Sequence, residues 1–154
     1  MKTVKKTRQN LAKIASEILA PLGFVRSGSS LVREGAHCYQ IVNFQGSRYS
    51  ALTYVNQMVW FKSQGTLPSP VNGGTFHFST RLESRTLSEE SRWRQVLEAS
   101  DADTDHAAWK EQITELLISG LPTFELLLTP DDARANFLAK RVSGLLVPAI
   151  AAGA

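Results

Sequence analysis

With 154 residues, 43% of them hydrophobic and 20% charged, the chain has the size and composition of one ordinary globular domain, residues 1–154. Such a chain buries a core without metal or disulfide staples, and its lone Cys38 excludes an intramolecular disulfide and fits a reducing compartment. The net charge of +3 is unevenly spread. Residues 1–26 hold six basic side chains against one acid, whereas residues 81–115 hold nine acids against five basic ones, a pattern expected of two solvated faces of one domain.

The opening Met1–Lys6 has the basic character of a signal-peptide start, but Arg8, Gln9, Asn10, Lys13 and Glu17 leave no apolar stretch behind it. No window approaches the roughly 20 apolar residues of a membrane span. The expectation is a cytoplasmic protein with no membrane partner.

The first helix is predicted over 4–22, where Leu11, Ile14, Ala15, Ile18, Leu19 and Leu22 recur at helical spacing and Pro21 and Gly23 mark the end. Short alternating runs follow, as strands show: 24–26 and 30–33 around Gly28, then 37–45, 50–62 and 75–82. In 37–45 the residues Tyr39, Ile41, Asn43 and Gln45 share one face. Pro68 and Pro70 keep the connection between the last two strands out of the sheet, and Asn72-Gly73-Gly74 is turn chemistry. The helical period then returns. Thr86 and Glu89 have capping-box spacing ahead of Trp93, Val96 and Leu97. Trp109, Ile113, Leu116 and Leu117 line a stronger helix that Gly120 and Pro122 should break or kink. Thr129 caps a last helix with Pro130 at its first position, carrying Ala133, Phe137, Leu138 and Leu145, and the tail 149–154 is expected to fray. Helix, antiparallel β-meander sheet, then C-terminal helices: the fold class is α+β.

Catalytic and metal motifs are weak. Asp101, Asp103 and Asp105 open like a calcium loop, but His106 and Gln112 stand where the glycine and bidentate glutamate belong, so no calcium binding is expected. His37, Cys38, His77 and His106 show no ligand spacing, and no nucleophile elbow, phosphate loop or dinucleotide fingerprint occurs. Neither a catalytic residue nor a metal site nor a cofactor is assigned. The aromatic residues Tyr49, Tyr54, Trp60, Phe61, Phe76 and Phe78 suit core packing better than base stacking. Gln40, Asn43, Gln45 and Asn56 stand out, because amides are depleted in strands. They suit either recognition of a polar ligand or satisfaction of buried backbone groups.

Leu19-Ala-Pro-Leu-Gly-Phe24 is followed by Gly28, by Leu31-Val-Arg33 and by Gln40-Ile-Val-Asn43-Phe-Gln45-Gly-Ser47. Asn56, Thr80-Arg81-Leu82 and Trp93 come later. This order resembles a family of bacterial proteins catalogued as domain of unknown function 4304, over residues 11–138. The chain departs from the family pattern at Glu83-Ser84, where a glycine is usual. The resemblance implies a small bacterial α+β domain and brings no activity with it.

The function expected is a non-catalytic binding or interaction module, immunity-like or regulatory, that recognises a protein partner. Asn43, Gln45, Arg81 and Arg33 are its candidate contacts: amides donate and accept together, and arginines grip carboxylates. The alternatives are a small hydrolase or transferase built around His37 or His77, and a weak nucleic-acid binder acting through the basic N-terminal helix. Oligomeric state has no signature in the sequence.

Overall fold

Period-two alternation gives the sheet two unlike faces, and a computed structural model describes the chain over residues 2–46, 53–82, 97 and 106–152. Helix α1 (Lys2–Leu19) buries Leu11, Ile14, Ala15 and Leu19 along one stripe. A 3-10 turn at Ala20–Leu22 follows, and Gly23, at φ +96°, redirects the chain. The tighter winding carries Leu22 off the stripe, leaving it 40% exposed.

Strands β1 (Val25–Ser27), β2 (Ser30–Glu34), β3 (Cys38–Gly46), β4 (Thr53–Phe61), β5 (Phe78–Arg81) and β6 (Leu145–Leu146) form one sheet in sequential order. Every pair is antiparallel, as the meander predicts. The central strands β3 and β4 pair along their whole length, from Cys38↔Phe61 to Gly46↔Thr53. The strand predicted from residue 75 begins at Phe78 because Thr75 belongs to the preceding turn. Its N–H donates to the Asn72 carbonyl at 3.1 Å, and the Gly74 N–H donates to the Asn72 side chain at 2.9 Å.

One face carries Leu31, Val42, Phe44, Val55, Val59, Phe61 and Phe78 into a core with α1 and with α2 (His106–Phe124). Helix α2 contributes Trp109, Ile113, Leu116 and Leu117, all at most 3% exposed. The other face is not left open. The 65–77 connection lies across it as a strap, and Val71, 1% exposed, packs there with Ile41 and Met58.

Two expectations about the C-terminal half are corrected. Of the break or kink expected at Gly120 and Pro122, the break does not occur: helix α2 runs on to Phe124 with Pro122 inside it. Pro122 forfeits one backbone bond near the helix end, and burial of Leu117, Phe124 and Leu127 outweighs that loss. The last long helix, α3 (Pro130–Leu138), has its Thr129 cap, whose hydroxyl accepts from the Asp132 N–H at 3.1 Å. It stops well short of Leu145, however, and Leu145 pairs with Ser79 in β6. The stop is a Schellman arrangement: the Arg141 N–H donates to the Asn136 carbonyl and the Lys140 N–H to that of Phe137. Lys140 holds the left-handed position at φ 60°, a place where glycine is usual, so the sequence carries no stop signal. A short helix, α4 (Pro148–Ala151), follows β6; Ile150 in it is 1% exposed and its carbonyl accepts from Arg134 Nε at 2.9 Å, while residues 153 and 154 of the tail lie outside the described residues.

Leu97 is helical and buried. The predicted capping pair Thr86 and Glu89, the residues Trp93 and Val96, the aromatic Tyr49 and the Asp101–Asp105 stretch lie outside the described residues. No helix among the described residues is long and apolar enough to cross a membrane.

Two stability measurements check this account. Truncation of Trp109, 3% exposed in α2, to alanine should cost about 3–5 kcal/mol in denaturant unfolding, and wild-type stability would show the indole is not packed. Lys140→Gly should raise stability by about 0.5–1 kcal/mol by relieving the left-handed strain. A lower unfolding midpoint would contradict the stop assigned to α3.

Candidate functional site

A buried amide must find partners for both its donors and its acceptor, and the strand amides do so in a connected chain. It starts at the strap. The Ser30 hydroxyl donates to the Val71 carbonyl at 2.9 Å. With its proton committed there, Ser30 Oγ accepts from Asn43 Nδ2 at 2.9 Å, and Ser29 Oγ accepts from the same amide at 2.9 Å. Asn43 Oδ1 therefore turns towards β4, where it accepts from Asn56 Nδ2 at 3.0 Å. The same Asn56 nitrogen donates to Gln45 Oε1 at 3.0 Å. Asn43 is wholly buried and Asn56 is 5% exposed, whereas Gln45 is exposed.

The chain ends at a hollow of about 380 Å³ on the strap-covered face, lined by Gln45, Asn56, Phe76, Ser79, Arg81 and Leu145. Asn56 and Arg81 are Cα partners across β4 and β5, which sets the guanidinium beside the amides. The Arg81 guanidinium lies 3.7 Å from the Tyr54 ring centroid, a cation–π contact that fixes its orientation. Among the described residues it has no hydrogen-bond or ion-pair partner. Gly144 closes the rim at φ +153°, and a Cβ there would collide with the Ser79 carbonyl, so only glycine lets β6 approach β5 this closely. A second hollow, of about 350 Å³, lies at the other end of the strap and is lined by Val25, Val32, Tyr39, Leu67 and Pro68 among others.

The structure thus brings Gln45 and Arg81 together and sets Asn43 behind them as their support. Arg33 is elsewhere. It alternates onto the helix-covered face, where Nε and Nη2 donate to Gln40 Oε1 at 2.8 and 2.6 Å and Nη1 donates to the Leu22 carbonyl at 3.2 Å. Its guanidinium also sits 4.7 Å from the Phe24 ring centroid. The carboxylate of Glu34 pairs with Lys62 at 2.7 Å rather than with Arg33. Ser79 could have been read from its period-two relation to Arg81. Leu145 could not, since nothing near it in sequence announces β6.

His77 has a packing role. Its Nδ1 accepts the Phe61 N–H at 2.9 Å, so the ring proton sits on Nε2. The ring lies 4.0 Å from that of Trp60 and stacks on Phe61 at 5.9 Å. Its backbone donates to Val59 and accepts from Val147, which ties β4 to the segment after β6. His37 is exposed, and burial pushes the Cys38 thiol above its ordinary range, away from thiolate reactivity. No group of three or more potential metal-ligating side chains assembles among the described residues.

Burial holds the His77 pKa below its ordinary 6.5. Between the two values the unfolded chain binds more protons than the fold does. The stabilisation is therefore complete above pH 6.5 and is lost as pH falls through the folded value. The melting temperature should drop more steeply from pH 7.5 to 5 in the wild type than in His77→Asn, which keeps an acceptor and has no proton to gain. Equal slopes would disprove the burial effect.

Residues 15–126 match the family model described as Domain of unknown function (DUF4304). The matched span runs from within α1 through the whole β1–β5 meander and α2, and takes in Gln45, Asn56, Phe76, Ser79 and Arg81 but not Leu145. No curated protein and no solved structure matches the chain. With a match over most of its length, spanning the meander that carries the amide chain, the protein belongs to the DUF4304 family.

Proposed function

We propose that the protein is a non-catalytic, cytoplasmic binding module of the immunity-like or regulatory kind, and that it recognises a protein partner at the polar end of its strap-covered face. The observation that carries this reading is Arg81, stacked 3.7 Å from the Tyr54 ring centroid at the mouth of a hollow, with no counter-ion among the described residues. A guanidinium fixed in this way keeps its fork of donors and loses little freedom on binding, which is why arginine anchors so many interfaces. Gln45 adds an exposed amide beside it. Asn43 takes part only through Asn56, since it is wholly buried. His77, engaged by the Phe61 amide and two aromatic rings, lends no support to the hydrolase or transferase reading.

Affinity capture from the native host with tagged wild type, Arg81→Ala and Asn43→Ala tests the proposal. Arg81→Ala should melt near wild type, because an exposed cation–π contact is worth about 0.5–1 kcal/mol, yet lose the partner. Asn43→Ala should lose about 1–3 kcal/mol of stability by stranding the amides of its chain. If Arg81→Ala retains the partner in undiminished yield, the site is elsewhere.

A further inference from the structure

We infer that the hollow at Arg81 receives the C-terminal residue of a partner polypeptide, with the free α-carboxylate on Arg81 and Gln45 and the backbone N–H of that residue on Asn56 Oδ1. The inference rests on the binding-module reading above and names the chemistry that the site selects.

The direction of the amide chain carries it. The Val71 carbonyl can only accept, so Ser30 donates to it and every later bond takes its sense from that one. Both protons of Asn56 Nδ2 are used, on Asn43 Oδ1 and Gln45 Oε1 at 3.0 Å each. What remains to these two residues is fixed: an acceptor, Asn56 Oδ1, and a donor, Gln45 Nε2. Both residues line the hollow together with Arg81. The site therefore combines a cationic fork, a neutral donor and a neutral acceptor. A simple anion without a proton, such as sulfate, satisfies the first two but sets its oxygens against Asn56 Oδ1. A chain terminus satisfies all three, because its carboxylate accepts and the N–H one atom from the α-carbon donates.

The walls set the side chain. Phe76 and Leu145 flank the polar groups, and Leu145 is 67% exposed, so an apolar terminal residue gains by covering it. At about 380 Å³ the hollow sits near the small end of ligand sites, which run from about 300 to 1,000 Å³. One residue fits that space better than an extended segment.

The test uses the full chain and N-terminally fluorescein-labelled hexapeptide pools, randomised at the first five positions. The pools end in Leu, Phe, Ser or Lys and are made both as free acids and as C-terminal amides. Fluorescence anisotropy should show saturable binding of the Leu and Phe acids. Amidation and Arg81→Gln should each weaken it by about tenfold or more, the loss of a charge-assisted contact. Arg81→Lys, which keeps the charge without the fork, should fall between, and melting curves would confirm that both variants are folded. Equal binding of acids and amides overturns the inference, as does binding that follows internal Asp or Glu whatever the terminus. So does failure of every pool while native-partner capture still depends on Arg81, and in that case the binding-module reading survives. If capture is indifferent to Arg81, that reading falls as well.

Discussion

The Ser30 hydroxyl bonds to the carbonyl of Val71, 41 residues away, and this contact joins the strap to the sheet. A second bond, from the Val71 N–H to Ser27 Oγ at 3.2 Å, holds the same residue from its other side. Between them the Val71 side chain enters the small apolar cluster of Ile41 and Met58. Polar and apolar anchoring thus coincide at one strap residue, and the position of Gly73 above the amides follows from it. A Cβ on Gly73 would stand 3.4 Å from Asn43 Oδ1, so the strap roofs the amide chain and lowers its exposure to water. Hydrogen bonds in such a low-dielectric setting are strong when all are made and costly when one is missing. The hollow beyond Gln45 is therefore built on a rigid footing.

The two sheet arginines show how little residue type decides by itself. Arg33 and Arg81 both lie on strands beside an amide and over an aromatic ring. Arg33 has its donors filled by Gln40 and by the carbonyl that the 3-10 turn leaves free at Leu22. It closes the gap between the first helix and the sheet. Arg81 has the ring but no hydrogen-bond partner for its donors among the described residues. The difference comes from strand parity: one residue alternates towards the helices, the other towards the strap.

Much of the sheet was legible because its signals are local. Alternation in Tyr39–Gln45 and the prolines at 68 and 70 each report on a few neighbouring residues, and the meander needs no other information. The candidate contacts were legible in part. Asn43 and Gln45 announce themselves as amides on one strand face, but their division into a buried support and an exposed donor depends on the strap, which returns from more than 25 residues away. Arg33 was grouped with them because parity across separate strands depends on register, which composition does not carry. The misplacement of Leu145 has one origin. Lys140 ends α3 in a conformation that sequence rules reserve for glycine or asparagine, so Leu145 reads as a continuing helix. The pairing that then captures Leu145 is with a strand 66 residues earlier.

The lengths of the strands bear on how the molecule avoids its own kind. β3 and β4 are nine residues each and carry the β-branched and aromatic runs that most readily pair with other chains, and both are interior. The outer strands are short: three residues in β1 and two in β6. Pro148 follows β6 almost at once and has no N–H to offer a newcomer. A transient opening that detaches β6 uncovers only β5, four residues long and ending in a charged arginine. Charge and brevity at an edge both discourage strand addition. The segments most prone to amyloid-like stacking thus stay sealed when β6 detaches, and β4 becomes an edge only once β5 has gone as well.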